Sequence, residues 1–176
     1  AGSPSPKSGA MPFGDVAADA YYPAAVLWAV ENGITKGLTE TTFGPKENCS
    51  RGQIVTMLYR AAGEPDVSDL KMPFTDVKEG SYCYDAVKWA VSKGITEGTT
   101  ATTFAPSAPA TRGQVVTFLY RAAGKPDVAD VELPFTDVKE GSFCYDAVLW
   151  AYKNGITNGQ NATTFGPTAT CNRGNL

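Results

Sequence analysis

TRGQVVTFLYRAAG (Thr111–Gly124) reads as one amphipathic helix with both of its ends marked. Thr111 can accept from the backbone N–H at Gln114, whose side chain can reach back to Thr111, which is a capping box. Val115, Val116, Phe118, Leu119 and Ala122 share one face and form the expected buried stripe. Arg121 falls in the last turn, Gly124 supplies a stop, and Pro126 follows. One residue resists this reading. Arg112 stands at the first helical position, where the helix dipole is positive and disfavours a cation by a few tenths to about 1 kcal/mol. The same wording occurs as CSRGQIVTMLYRAAG (Cys49–Gly63), and its opening as NRGNL (Asn172–Leu176).

These are pieces of a longer repeat. Trp28, Trp89 and Trp150 are 61 residues apart, as are Arg51, Arg112 and Arg173, and Asp15, Asp76 and Asp137. Residues 72–114 and 133–175 are identical at 28 of 43 positions, which fixes the register. Each unit reads F-x-D-V, a helix containing Trp-Ala, Gly-Ile-Thr, Thr-Thr-Phe-x-Pro, then x-Arg-Gly and a second helix. In the middle unit Ala86, Val87, Trp89, Ala90 and Val91 make the stripe of the first helix, which Gly94 ends, as Gly33 and Gly155 do in the others. Pro23 suits a first turn. The expectation is a mainly α protein: three helix–loop–helix units around a pseudo-threefold axis, at 12–72, 73–133 and 134–176, with 1–11 a linker or expression remnant. A fixed period signals units that bury their apolar faces against one another. The third unit stops before its second helix, so the expectation is that a second chain or copy supplies that helix, or that the fold tolerates a frayed end.

The chain has 176 residues, 43% hydrophobic and 19% charged, with a formal net charge of −3. No basic run suggests nucleic acid, and no apolar stretch reaches the length of a membrane span. Histidine is absent, which excludes histidine acid–base chemistry and histidine metal ligands within this chain. No cofactor is expected.

FTDV, YDAVKWAV, GIT, TTFAP and TRGQ, three times in order from Pro12 onward, resemble the S-layer homology (SLH) family. The resemblance implies a three-pronged spindle around a central helical bundle. It also implies a bacterial cell-surface location and non-covalent attachment to secondary cell-wall polysaccharide, often through a pyruvylated amino sugar, usually N-acetylmannosamine. The family's Thr-Arg-Ala-Glu signature falls on Ser50-Arg51-Gly52-Gln53 and Thr111-Arg112-Gly113-Gln114, with Gly for Ala and Gln for Glu. At Asn172-Arg173-Gly174-Asn175 the match is degenerate.

A pyruvate ketal carries a carboxylate, and three kinds of donor can converge on it: the guanidinium of Arg51, Arg112 or Arg173, the N-cap group of Ser50, Thr111 or Asn172, and first-turn N–H groups. The alternative for each arginine is a salt bridge to the F-x-D-V aspartate of a neighbouring unit. Trp28, Trp89 and Trp150 can line a groove against sugar rings or belong to the core. Asp15, Asp76 and Asp137 serve a turn or cap, or pair with an arginine or a sugar hydroxyl. Position x of G-I-T-x-G holds Lys36, Glu97 and Asn158, which would make the grooves unequal, with Lys36 favouring an anion. Asp85 and Asp146 are expected to cap helix starts. Among the cysteines, Cys49 and Cys171 are equivalent, as are Cys83 and Cys144. Pseudo-symmetry therefore admits at most one disulfide, Cys144–Cys171 within a unit or Cys49–Cys83 between successive units, unless the positions lie close enough in space to satisfy both geometries.

The leading expectation is a non-catalytic wall anchor that tethers a surface protein or exoenzyme. The alternative is a structural or oligomerising surface module that recognises a protein partner. A glycan-cleaving enzyme is disfavoured, because its acid and nucleophile would both have to be carboxylates placed at repeated helix starts.

Overall fold

The computed structural model describes residues 5–7, 9–129 and 132–176. Among them the helices are α1 (Pro23–Glu31), α2 (Arg51–Ala61), α3 (Tyr84–Ser92), α4 (Arg112–Ala122) and α5 (Tyr145–Lys153), followed by a 3-10 turn at Arg173–Asn175. No β-strand forms among the described residues. The local chemistry explains the boundaries. Pro23 opens α1, and both capping boxes form, at Ser50/Gln53 and Thr111/Gln114. Gly33, Gly94 and Gly155 follow the first helices at φ of 69°, 64° and 67°, a backbone only glycine adopts cheaply. Two expectations change. Asp85 and Asp146 lie within first turns capped by no side chain, and Asp85 pairs with Lys88 at 3.8 Å. Ala122 is exposed, while Val115, Val116 and Phe118 are buried as expected.

The pseudo-threefold axis is a triangle of backbone hydrogen bonds. Cys49 N–H donates to Cys171 carbonyl, Cys171 N–H to Ala110 carbonyl, and Ala110 N–H to Cys49 carbonyl, each at 2.9 Å. All three residues are buried. The repeat spends small side chains there because three backbones converge.

Around the axis the units interlock. α2 packs along α3 and α4 along α5, so the second helix of one unit covers the first helix of the next. Tyr59 lies against Trp89 and Tyr120 against Trp150, both with centroids 5.8 Å apart. Trp89 is 7% exposed. By this register α1 would be covered by a helix grown from Arg173, where the chain forms only the 3-10 turn. In that place lies an apolar cavity of about 320 Å³, lined by Val26, Trp28, Ile54, Met57, Leu58 and Leu119 among others.

The segment expected to be a linker lies partly outside the described residues. Its described part is tied down: the Lys7 and Gly9 N–H groups donate to the Glu31 carboxylate, and Met11 packs beside Phe13. Neither candidate disulfide forms: all four cysteines are free and buried. Cys83 packs against Gly52 of the preceding unit and its thiol sits beside Ser81, whereas Cys49 is held on the axis. Burial pushes the Cys49 thiol up to about 12, despite the opposing Arg173 charge.

Candidate functional site

Each signature arginine reaches out of its own unit. Arg51 Nε donates to the Phe104 carbonyl at 2.9 Å, Arg112 Nε to Phe165 at 2.9 Å, and Arg173 Nε to Phe43 at 2.7 Å. Unit one is thus tied to unit two, two to three, and three back to one. Each guanidinium also lies over the ring of the same phenylalanine, at 4.7, 4.8 and 4.6 Å respectively. Arg51 has a second ring, Phe118, at 5.2 Å. Desolvated cation–π contacts of this kind contribute up to about 2 kcal/mol.

The F-x-D-V aspartates hold the other side of those phenylalanines. Asp15 accepts from Phe43 and Gly44 N–H, Asp76 from Phe104 and Ala105, and Asp137 from Phe165 and Gly166, at 2.7 to 2.9 Å. Among the described residues, no salt bridge joins a signature arginine to one of these aspartates. Carboxylate and guanidinium instead grip one residue from opposite ends, N–H and C=O. Desolvation works against ionisation of Asp15 and Asp137, but their backbone donors prevail and hold both below the usual carboxylate value.

The first-turn N–H groups are not available to a ligand, contrary to the sequence expectation. Arg51 N–H donates to Ala108 carbonyl and Gly52 N–H to Pro106; Arg112 and Gly113 donate to Ala169 and Pro167; Arg173 and Gly174 donate to Glu47 and Pro45. The third N–H goes to the cap side chain: Gln53 to Ser50, Gln114 to Thr111, Asn175 to Asn172. The loop of the next unit has taken the place of the anion. What remains is on the guanidinium. Nη2 of Arg51 and of Arg173 is buried without a hydrogen-bond partner, and each residue is 4% exposed. Desolvation lowers both pKa values, opposed by Asp76 for Arg51 and by Cys49 and Asp15 for Arg173. Leaving a buried donor unpaired costs about 1–3 kcal/mol, and more for a charged group.

Arg51 lines a polar cavity of about 240 Å³ with Glu97, Gln114, Thr117, Arg121 and Phe143. Its walls come from all three units: the arginine from one, the G-I-T-x-G loop and α4 from the second, Phe143 from the third. In repeat register, the Arg173 groove has Lys36 for Glu97, Met57 for Phe118 and Tyr82 for Phe143. The Arg112 groove has Asn158 and Tyr21 and, among the described residues, no second helix. The consequences are visible. Ile156 is 49% exposed where Ile95 is 1%. Arg60 and Arg121 brace the Ile34 and Ile95 carbonyls. Arg112 is only half-buried.

Trp89 is core, and Trp28 and Trp150 are half-buried on the same helix face. Residues the sequence reading passed over are Tyr21, Tyr82 and Phe143, exposed aromatics at one repeat position. Their 61-residue spacing was the signal. No group of histidine, cysteine or acidic side chains suited to a metal occurs among the described residues. No helix there is long and apolar enough to cross a membrane.

Three interleaved helical units, closed into a ring by arginine-to-carbonyl ties, define a pseudo-threefold repeat domain with grooves between its units. The chain belongs to the S-layer homology domain family, which matches residues 12–55, 73–116 and 134–174. It is 29% identical over 92% of its length to an endoglucanase of Bacillus sp. (strain KSM-635). It is 30% identical over 87% of its length to the surface-layer 125 kDa protein of Lysinibacillus sphaericus, and 29% identical over 66% to a cell surface protein of Thermoanaerobacter kivui. It spans only 17%, 13% and 16% of those proteins. Domains of this family are non-catalytic, occur in surface proteins and generally serve cell-wall anchoring by binding cell-wall polysaccharide. These likenesses place the chain at the extracellular face, in the cell wall.

Proposed function

We propose that this chain anchors a surface protein or exoenzyme by binding secondary cell-wall polysaccharide through the carboxylate of a pyruvylated amino sugar of the N-acetylmannosamine type. The observation that carries this reading is the unpaired, buried Nη2 of Arg51 beside a polar cavity; Nη2 of Arg173 is likewise buried and unpaired, although that residue borders the apolar cavity. A carboxylate would satisfy that donor and neutralise a guanidinium already stripped of water. Lys36 adds a second cation beside the Arg173 groove. Ser50, Thr111 and Asn172 shape the helix ends, and the aspartates and tryptophans position the grooves from behind. The test is a pull-down with purified wall polysaccharide before and after removal of its ketal pyruvate. Retention is expected only before removal and is lost in Arg51→Gln/Arg173→Gln. Equal retention of both polymers contradicts the proposal.

A second reading rests on a separate observation, the apolar cavity between α1, α2 and α4. We propose that it receives a helix of the α2/α4 pattern. A synthetic peptide of residues 111–124 is expected to raise the melting temperature and quench Trp28 fluorescence. A melting temperature and a Trp28 signal unaffected by the peptide contradict this.

A further inference from the structure

Tyr21, Tyr82 and Phe143 are 75%, 62% and 64% exposed. The fold gains little from three large rings left in solvent, yet it places one at the same point of every unit. Phe143 lines the cavity of Arg51, and its edge rests on the start of α4. A Cβ added to Gly113 would meet Phe143 Cζ at 3.1 Å, Cys144 Sγ at 3.2 Å and the Pro167 carbonyl oxygen at 2.9 Å. Tyr82 sits likewise on α2, where a Cβ at Gly52 would meet its hydroxyl at 2.6 Å, and that hydroxyl lies 3.3 Å from Ser50 Oγ. Glycine inside a helix costs about 1 kcal/mol relative to alanine. The chain carries it in both helices, and the room it leaves lets a ring lie on the helix end. The rings are thereby fixed at one edge while most of their surface faces water.

We propose that Phe143, and Tyr82 in the Arg173 groove, are stacking platforms for a pyranose ring whose carboxylate substituent pairs with the neighbouring arginine. This rests on the wall-glycan reading above and adds to it a second contact of different chemistry. The electron-rich face of the aromatic ring attracts the polarised C–H face of the sugar, while the guanidinium takes the charge. The two contacts together require a carboxylate carried on a ring. A free carboxylic acid, or a neutral sugar, meets only one of them.

The test is an NMR titration with two probes: the methyl glycoside of pyruvate-ketal N-acetylmannosamine, and 2,2-dimethoxypropanoate, which has the ketal carboxylate without the sugar ring. The wild-type chain is expected to bind the glycoside with upfield ring-current shifts of the sugar protons, and to bind the ringless acid more weakly. Phe143→Ala/Tyr82→Ala should weaken the glycoside about tenfold, abolish those shifts, and leave binding of the acid unchanged. Phe143→Tyr should restore the shifts. A double variant that binds the glycoside as the wild type does overturns the platform and leaves the glycan reading standing. Equal loss of both probes also overturns it, assigning the rings a structural role. A wild-type chain that binds neither probe overturns the glycan reading and the platform with it.

Discussion

The Arg51 and Arg112 grooves start from nearly the same residues, Ser-Arg-Gly-Gln and Thr-Arg-Gly-Gln, with intact capping boxes in both. They end differently. Arg51 is 4% exposed, lies between two phenylalanine rings and keeps an orphan donor; Arg112 is half-buried under one ring. The difference lies in what the next unit brings. Unit two supplies α4 to the Arg51 groove, whereas the described residues of unit three reach only the 3-10 turn at Arg173–Asn175. A groove in this fold belongs to a pair of units, and a signature motif marks only half of it.

The largest expected effect tests the packing behind the contrast. Trp89→Ala should lose about 3–5 kcal/mol of stability by chemical denaturation, as a buried tryptophan with a Tyr59 partner. Half-buried Trp28, facing the cavity, should lose clearly less; equal losses would mean α1 is as well covered as α3. Next comes binding. Arg51→Gln or Arg173→Gln should each cost about 2–5 kcal/mol in affinity for pyruvylated wall polymer by calorimetry. Arg112→Gln should cost less than about 1 kcal/mol, and a loss matching that of Arg51 would show the third groove to be complete. A smaller change separates the two intact grooves. Glu97→Lys should strengthen binding by up to about 1 kcal/mol and make it more salt-sensitive, since the charge is exposed, while Lys36→Glu should do the reverse. The smallest effect is that of acid. Asp15 and Asp137 are held below 3.8 in the folded chain, so their stabilisation is complete above the ordinary carboxylate range and lost as pH falls through their lowered values. Melting temperature should therefore be flat near neutrality and drop below about pH 4, and Asp137→Asn should flatten part of that drop.

Much of this was legible in the sequence. The period of 61, the capping boxes and the glycine stops are local signals, and each has a local cause. Arg51 was legible as anomalous because it opposes a dipole that can be reckoned from the chain alone. Its partner was not, because the Phe104 carbonyl and the carbonyls of Pro106 and Ala108 come from the next unit. The same non-locality hides which arginine a second helix serves: α4 starts at Arg112, yet its Gln114, Thr117 and Arg121 wall the Arg51 cavity. Tyr82 and Phe143 recur as plainly as the tryptophans, yet periodicity reports only that a position is shared, not whether it faces water.

The bond from Arg173 to the Phe43 carbonyl spans 130 residues, far more than the 53 spanned by its two counterparts. With the Cys49–Cys171 hydrogen bond it makes a clasp, and the clasp turns an open string of repeats into a closed loop. Tension between the first and third units therefore falls on that clasp, while the two continuous junctions are backed by covalent chain. Under steady pull, the resistance of the domain would be set by how quickly the clasp opens, and a sugar carboxylate seated on Arg173 would hold it shut.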